Sequence, residues 1–154
     1  MSHQIRPATP ADVGQILELF PRLAAFDLPT NRSAEDLWRG DDELLRLWSM
    51  GAAPQCLVHV AVDPAQAILG IAMAQLREEL LSHAPSAHLE VIVVRDDAEG
   101  QGIGKALIQM IEQAVREQGA RSITLHVFAT NTRARAVYER LGYSAELIRY
   151  IKHF

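Results

Sequence analysis

A glycine-rich loop between an apolar strand and an amphipathic helix is the feature that most constrains this chain. The loop reads Gly100-Gln101-Gly102-Ile103-Gly104 and follows an apolar run over residues 89–94. After the loop, apolar residues recur at helical spacing as far as position 114, which predicts a strand, a loop and a helix. Glycines let an anion approach the backbone closely, and a helix N-terminus offers unpaired N–H groups and a positive dipole end. The segment therefore predicts a site for a phosphate or pyrophosphate.

Two common phosphate-binding motifs fit this loop poorly. A nucleoside-triphosphate loop needs G-x-x-x-x-G-K-S/T, but Glu99 stands at its first glycine position and Ala106 at its hydroxyl position. A dinucleotide fingerprint needs G-x-G-x-x-G at the start of a βαβ unit, but Lys105 stands at its last glycine position. A plain turn between strand and helix is the remaining alternative, although three glycines in five residues exceed what a turn requires.

The spacing is similar to motif A of the GNAT superfamily, the acyl-CoA-dependent N-acetyltransferases. That motif is an apolar strand ending in valine, here Val94, followed by Q/R-x-x-G-x-G/A, here Glu99 to Gly104. The departure is Glu99, where the family usually has arginine or glutamine. Residues 131–143 resemble a second segment of the superfamily, N-x-x-A-x-x-x-Y-E-K/R-x-G-F/Y, and contain Asn131 and Tyr138. The resemblance covers residues 87–154, and the first 86 residues match only in their order of elements.

Length and composition favour one domain over residues 1–154. The chain is 49% apolar and 22% charged, which is ordinary for a globular protein with a real core. No apolar run approaches the ~20 residues of a membrane span, and the N-terminus has no apolar signal region, so we expect a cytoplasmic protein without membrane association. One cysteine, Cys56, allows no intrachain disulfide, and no pair of residues has zinc-ligand spacing. We therefore expect no metal.

The net charge of −4 disfavours a nucleic-acid partner, since nucleic-acid binding needs clustered positive charge. The same charge is compatible with a cationic amine as substrate.

The predicted order of elements is β-α-α-β-β-β-α-β-α-β, with a last strand over residues 145–152, and this is the order that the resemblance implies. We expect an α/β (α+β) fold, a GNAT-like domain with a mixed central sheet of six to seven strands and helices on both faces. The resemblance also makes a homodimer plausible.

The resemblance implies that acetyl-CoA binds as a co-substrate. The pyrophosphate would lie on the glycine loop, and the pantetheine arm would lie between the strand that ends at Val94 and the strand that ends at Phe128. A backbone N–H of Val93 or a neighbour would face the thioester carbonyl. The predicted acetyl-CoA-binding residues are Val93, Val94, Glu99, Gly100, Gln101, Gly102, Ile103, Gly104, Lys105 and Asn131.

Tyr138 is the candidate general acid. It lies seven residues after Asn131, so the two side chains share a helix face to within about 20°. The alternative is that Tyr138 is a core aromatic residue and that Asn131 only caps the helix.

Glu90 is the candidate general base. It lies in the apolar strand over residues 87–94, where alternation predicts that His88, Glu90, Ile92 and Val94 share a face. A carboxylate among apolar neighbours is costly without a partner, so its presence suggests a site; an ion pair with a surface arginine is the alternative. His88 and then His126 are further candidates for the base, since imidazole titrates near neutral pH.

Together these residues predict an N-acetyltransferase in which a primary amine attacks the thioester directly. Glu90 would act as base, directly or through water, and Tyr138 would act as acid toward the CoA thiolate. The acceptor pocket would come from residues 26–38 and 78–88. Two alternatives stay open: a noncatalytic acyl-CoA-binding regulatory domain, and an enzyme that acetylates a protein or peptide amine.

Overall fold

The computed structural model describes residues 2–154, whose strands form one mixed five-stranded sheet in the order β1-β2-β3-β4-β5. The first four strands are successively antiparallel, and β5 joins β4 in parallel. The strands are β1 Gln4–Pro7, β2 Cys56–Val62, β3 Ile68–Glu78, β4 Pro85–Val94 and β5 Ile123–Leu125. The α-helices are α1 Val13–Leu19, α2 Arg39–Ser49, α3 Ile103–Glu117 and α4 Thr132–Arg140. Between residues 2 and 154, no helix is both long enough and apolar enough to cross a membrane.

Helices cover both faces of the sheet, as the sequence predicts. Ile16 of α1 and Leu45 of α2 pack with Ile71 of β3 in one buried cluster. Leu107 of α3 packs with Leu69 of β3 in a second cluster. In a regular strand, Leu69 and Ile71 would lie on the same face because they are two residues apart. Near the start of β3 the register against β2 shifts, since Ala61 pairs with Gly70 but Val62 pairs with Ile68. This shift places Leu69 and Ile71 on opposite faces, so that β3 contributes to both clusters.

The predicted count of six to seven strands is wrong, because the C-terminal part of the sheet is shorter than expected. The strand predicted to end at Phe128 forms only over Ile123–Leu125. Residues 144–154 have no secondary structure, and all of them are exposed. An extended segment is a strand only when its backbone groups pair with a neighbouring strand. Among the described residues, none forms a backbone hydrogen bond with residues 144–154.

A β-bulge interrupts β4 at Glu90. Met73 pairs with Val91, and the next β3 residue, Ala74, pairs with Leu89. Glu90 is therefore the extra residue, with no partner of its own on β3. A bulge of this kind re-aims a side chain and bends its strand.

The bulge makes the predicted alternation of β4 wrong. Leu89, Ile92 and Val94 all pack on the α3 side of the sheet, so the side-chain pattern shifts by one residue across Glu90. His88, which precedes the bulge and adjoins Leu89, therefore does not share a face with Ile92 and Val94.

The sheet opens just beyond the bulge. β4 and β5 pair only at Ala87 with Ile123, His88 with Thr124 and Leu89 with Leu125. Past that point the two strands separate, which leaves a gap with residues 90–94 on one side and residues 126–128 on the other.

Candidate active site

The gap between β4 and β5 forms a cavity of about 230 Å³ that brings together both predicted catalytic residues. Glu90 reaches it from the bulge of β4, and Tyr138 reaches it from α4. The N-terminal half closes the other side with Arg22, Phe26, Leu37 and Asp41, and β5 and the residues after it add Leu125, His126, Val127 and Phe128.

A chain of amides holds the Glu90 carboxylate. Gln55 Nε2 donates to Gln75 Oε1 at 3.0 Å, and Gln75 Nε2 donates to Glu90 Oε1 at 3.0 Å. The partner of Glu90 is thus a neutral amide on β3 and not a surface arginine. A neutral donor fixes the position of one carboxylate oxygen and leaves the negative charge uncompensated.

Asp41, in the first turn of α2, is a second carboxylate in this cavity that sequence reasoning missed. Burial, and next the charge of Glu90, raise the pKa of Asp41 to about 7. In the sequence, an aspartate at a helix start looks like an ordinary partner of the helix dipole, so no local signal distinguished it. Glu90, together with Asp41 in its ionised form, offers carboxylate oxygens to a cation in this cavity, which Arg22 also lines.

Tyr138 has the environment of a phenol that keeps its proton. Burial raises the pKa of the Tyr138 hydroxyl above its ordinary value. The ring packs edge to face with Tyr143 at 6.0 Å between centroids. Among residues 2–154, no side chain or backbone group forms a hydrogen bond with the hydroxyl, which leaves it available to a ligand in the cavity.

Asn131 caps α4, as its position predicts. Its side-chain oxygen accepts a hydrogen bond from the Ala134 N–H at 3.3 Å. Asn131 also lines the same cavity as Tyr138, so the cap and the candidate acid lie at one site.

The two histidine alternatives differ in their access to the cavity. His88 is buried, its Nδ1 lies 2.7 Å from Thr124 Oγ1, and it does not line the cavity. Burial, followed by the charges of Arg77 and His126, lowers the pKa of His88 to about 4, which makes it a weak base. His126 is exposed and lines the cavity, with its ring centroid 4.6 Å from that of His88.

The hydrogen-bond ladder shows which β4 backbone groups face the gap. The Arg95 N–H donates to the Leu69 carbonyl of β3 at 2.7 Å. The hydrogen-bonding direction alternates from residue to residue along an antiparallel pair, so the N–H and carbonyl of Val93 also point toward β3. The backbone N–H and carbonyl groups of Ile92 and Val94 then point away from β3, toward the gap. Arg22 Nε donates to the Val94 carbonyl at 2.8 Å, which agrees with this direction. The N–H groups on the cavity side therefore belong to Ile92 and Val94.

A second cavity of about 300 Å³ adjoins the glycine loop and shares Ile92 and Val93 with the first. Of the predicted acetyl-CoA-binding residues, it is lined by Val93, Val94, Glu99, Gly100, Gly102, Ile103 and Gly104. Asn131 lines the first cavity instead, whereas Gln101 and Lys105 are exposed and line neither.

The three loop glycines have different reasons to be glycine. Gly100 and Gly102 have φ of 77° and 75°, the left-handed region that glycine adopts without strain. Gly104 lies inside α3, where glycine costs about 1 kcal/mol relative to alanine, and a Cβ there would meet only Val94 Cγ2, at 3.6 Å. Neither backbone strain nor crowding explains Gly104. Its effect is to keep the first turn of α3, with its unpaired N–H groups, open to the cavity.

Glu99 is paired with two arginines. Arg22 Nη2 lies 2.6 Å from Glu99 Oε1, and Arg133 Nη2 lies 3.6 Å from Glu99 Oε2. Both arginines line a cavity, Arg22 the first and Arg133 the second. Sequence reasoning missed Arg22 because only the fold brings it next to a residue 77 positions away. Two cations at the loop fit an anionic ligand.

A family model described as the acetyltransferase (GNAT) family matches residues 19–143. A mycothiol acetyltransferase of Arthrobacter sp. (strain FB24) is 32% identical over 85 residues, which cover 55% of this chain and 26% of that protein. A thialysine N-epsilon-acetyltransferase of Bos taurus is 28% identical over 144 residues, which cover 90% of this chain and 82% of that protein. The chain thus spans about a quarter of the first relative and most of the second.

A solved structure from Pyrococcus furiosus, a candidate acetyl transferase, superposes on this chain with a TM-score of 0.81. It is 24% identical, and the superposition covers 99% of this chain and all of that one. At this identity the likeness concerns the fold.

Proposed function

The chain belongs to the acetyltransferase (GNAT) family, and on that premise we propose that it transfers the acetyl group of acetyl-CoA to a primary amine. The observation that carries the proposal is the cavity that Glu90 and Tyr138 line together, next to the cavity of the glycine loop. Residues 1–154 act as one N-acetyltransferase domain in this proposal.

The residues of the second cavity fit acetyl-CoA. The open first turn of α3 offers N–H groups to the pyrophosphate. Arg133 of this cavity supplies positive charge, and so does Arg22, which lines the first cavity and reaches the loop at Glu99. Between β4 and β5, the gap-facing N–H and carbonyl of Ile92 and the N–H of Val94 can pair with the amides of the pantetheine arm, as an edge strand pairs with an added strand; the Val94 carbonyl accepts from Arg22.

The chemistry follows from the groups around the first cavity. Glu90 takes a proton from the ammonium group, directly or through water, and the amine nitrogen attacks the thioester carbonyl. The Ile92 N–H stabilises the oxyanion. The C–S bond then breaks, the attacking nitrogen gives up its second proton to become the amide, and the departing thiolate takes up one proton, so that free thiol leaves. A phenol has a pKa of ~10 and a thiol ~8.5, and burial raises the pKa of Tyr138 further. Tyr138 therefore contributes mainly a hydrogen bond to the developing thiolate.

The acceptor that this cavity favours is a small cationic amine. Glu90, and Asp41 in its ionised form, can pair with the cation. A volume of about 230 Å³ suits a small molecule better than a folded protein surface. The presence of Glu90 and Tyr138 in one cavity speaks against a noncatalytic acyl-CoA-binding domain, which would need neither.

The test is release of free thiol from acetyl-CoA across a panel of amines, polyamines, amino acids and peptides. We expect turnover with at least one small cationic amine. Binding of acetyl-CoA without turnover on any acceptor would support the noncatalytic alternative. Turnover on peptides alone would overturn the small-molecule acceptor while leaving the reaction in place.

Gly104→Val tests the binding half of the proposal. The added side chain enters the second cavity, so we expect acetyl-CoA affinity to fall more than tenfold by calorimetry. The fold should survive, because the nearest atom to a Cβ is 3.6 Å away. Gly14→Val is the matched control, since Gly14 is also a helical glycine with open space around it and lines neither cavity. Equal affinity of the two variants would move the pyrophosphate site elsewhere.

A further inference from the structure

Glu90, the candidate base, has one hydrogen-bond partner among residues 2–154, the side-chain amide of Gln75 on β3. An ionised carboxylate has two oxygens and about four acceptor sites. Gln75 Nε2 donates to Oε1 at 3.0 Å, and Oε2 accepts no hydrogen bond from the described part of the chain. Oε2 is therefore the oxygen that is open to an ammonium group or a water molecule in the cavity that Glu90 lines.

The bulge of β4 brings Glu90 and Gln75 to the same side of the sheet. In a regular ladder Ala74, the residue after Met73, would oppose Glu90, and side chains that oppose each other share a face. Ala74 packs on the α3 side. The observed register pairs Ala74 with Leu89 instead, which releases Glu90 from that side. Its carboxylate reaches Gln75, which shares with Met73 the side covered by α1 and α2.

The amide of Gln75 has a fixed orientation, because each of its ends has a partner. An ionised carboxylate only accepts hydrogen bonds, so Gln75 must turn its NH₂ group toward Glu90. Its oxygen then faces Gln55, whose Nε2 donates to it at 3.0 Å. Gln55 is itself tied to β3, since its backbone carbonyl accepts from the Leu76 N–H at 2.9 Å. The exposed Gln55 thus holds the half-buried Gln75, and Gln75 holds the base.

We propose that Gln75 is a positioning residue for the acetyl transfer, and that its amide holds Oε1 of Glu90 so that Oε2 faces the incoming amine. The inference rests on the proposed function, in which Glu90 takes a proton from the acceptor. A base acts only within hydrogen-bond reach of that proton, so a glutamate that samples several rotamers loses rate. A neutral amide restricts the side chain without cancelling the negative charge that the base needs.

Gln75→Met is the first test, because it keeps the length of the side chain and removes the amide. Rates are measured by release of free thiol from acetyl-CoA, with the amine of the panel on which the wild type has its highest kcat. We expect kcat to fall about tenfold, since a hydrogen bond to a charged group is lost. The KM for acetyl-CoA should stay within about twofold of the wild-type value, because Gln75 lines neither cavity.

Gln113→Met is the matched control. Gln113 Nε2 also donates to a carboxylate, Glu117 Oε1 at 3.1 Å, but on the exposed face of α3 and outside both cavities. Its kcat should equal that of the wild type. Gln55→Met leaves the bond between Gln75 and Glu90 in place, so it should lower kcat by no more than about threefold.

Gln75→Asn tests the same bond with a side chain that keeps the amide. It is one methylene shorter, so the amide no longer reaches Glu90, and we expect the same loss of kcat as in Gln75→Met. Urea denaturation checks that both variants fold. Wild-type kcat in both variants would overturn the proposal.

A double-mutant cycle with Glu90→Gln separates positioning of the base from a general structural role. If Gln75 acts through Glu90, Gln75→Met should cost about tenfold in the wild-type chain and less than about twofold in the Glu90→Gln chain, which has already lost the base. The same loss in both chains would show that Gln75 supports the site as a whole, and would overturn the proposal.

The cycle also distinguishes this inference from the proposed function. A Glu90→Gln variant with wild-type kcat, or no turnover on any amine of the panel, would remove the proposed chemistry and the role of Gln75 with it. A slow Glu90→Gln variant beside fully active Gln75→Met and Gln75→Asn variants would leave the chemistry in place and overturn only the role of Gln75.

Discussion

Two regions of the molecule line the same cavity but differ in how much of each is buried: residues 2–115 and residues 116–154. The first region contains every buried residue of the described chain, and the second contains none. Yet the second region supplies Asn131 and Tyr138 to the cavity that Glu90 lines from the first. The first region is held by its own core, whereas the second packs against that core through partly buried residues such as Leu125 and Tyr138. We therefore expect changes in the first region to act on stability and changes in the second to act on binding and rate.

The largest expected difference between the regions is in stability. Leu107 of α3 is fully buried, and Leu141, just after α4, is only partly buried. Leu107→Ala should lower the free energy of unfolding by about 3 kcal/mol, and Leu141→Ala by less than about 1 kcal/mol, since little apolar area is lost. Urea denaturation of both variants measures the difference. Equal losses would show that the second region has a core of its own in solution and would end the comparison.

Tyr138→Phe tests the second region through rate. The lost hydroxyl touches only the reacting groups in our proposal, so kcat should fall about 100-fold while acetyl-CoA affinity and stability stay nearly unchanged. Tyr143→Phe is the matched control, because that hydroxyl is bonded to Glu112 on α3. We expect it to lower stability by about 1 kcal/mol and to leave kcat within twofold. Full activity of Tyr138→Phe at all pH values would make Tyr138 a packing residue.

The first region could be predicted from sequence more fully than the second. The glycine loop and the α3 stripe gave the correct strand, loop and helix, because those elements depend on local pattern and their own core. The strand over residues 145–152 has an equally good pattern but does not form in the isolated chain. A strand forms only where its backbone groups pair with a neighbouring strand. The local pattern of the segment carries no information about such a partner.

Within the candidate site, the sequence pointed to Glu90 and Tyr138 but not to their surroundings. The bulge at Glu90 follows from the register of β4 against β3, which the β4 sequence alone does not reveal, and so the predicted face of His88 was wrong. Asp41 and Arg22 join the cavities through tertiary packing of the N-terminal half. Neither residue lies in a recognisable motif, so the spacing of residues in the sequence does not predict that they line these cavities.

Asp41→Asn sharpens the comparison from within the first region, where a site residue should also affect stability. The pKa of Asp41 is about 7 in the folded chain, against an ordinary value of 3.8 for an aspartate. Because the folded state holds the proton more tightly, wild-type stability falls as pH rises between those two values. The Asn variant has no such loss, so it should be more stable than wild type by on the order of 2 kcal/mol at pH 8 and show no gain at pH 3.

Thermal unfolding between pH 3 and pH 8 measures this difference. Asp42→Asn is the control, since Asp42 pairs with Arg46 at 2.6 Å and does not line the cavity; it should show no gain at high pH. The same Asp41→Asn variant should raise KM for a cationic acceptor. An Asn variant that is no more stable at pH 8 than at pH 3, relative to wild type, would show that Asp41 is solvated and would remove it from the site.

Glu99→Gln has the smallest expected effect, a change in acetyl-CoA affinity, and Glu99 lies where the two regions meet. Among the described residues, the Glu99–Arg133 contact is the ion pair that joins them, and Glu99 also holds Arg22. The neutral variant keeps an oxygen for Arg22 but releases the charge of both arginines toward the phosphates of acetyl-CoA. Since Glu99 is 37% exposed and exposed pairs contribute at most about 1 kcal/mol, affinity should rise about threefold at low salt.

Salt separates this electrostatic gain from a positioning role for Glu99. The gain should vanish near 1 M salt, where the Debye length is about 3 Å. Asp97→Asn is the control, because Asp97 pairs with Arg95 in the turn before the loop and does not line the second cavity; its affinity should equal that of wild type at every salt concentration. Calorimetry across the salt series gives both results. Weaker binding of Glu99→Gln at all salt concentrations would mean that the carboxylate positions Arg22 and Arg133 for the ligand. The ion pair between the regions would then be part of the binding site, and α4 would already be held in place before acetyl-CoA arrives.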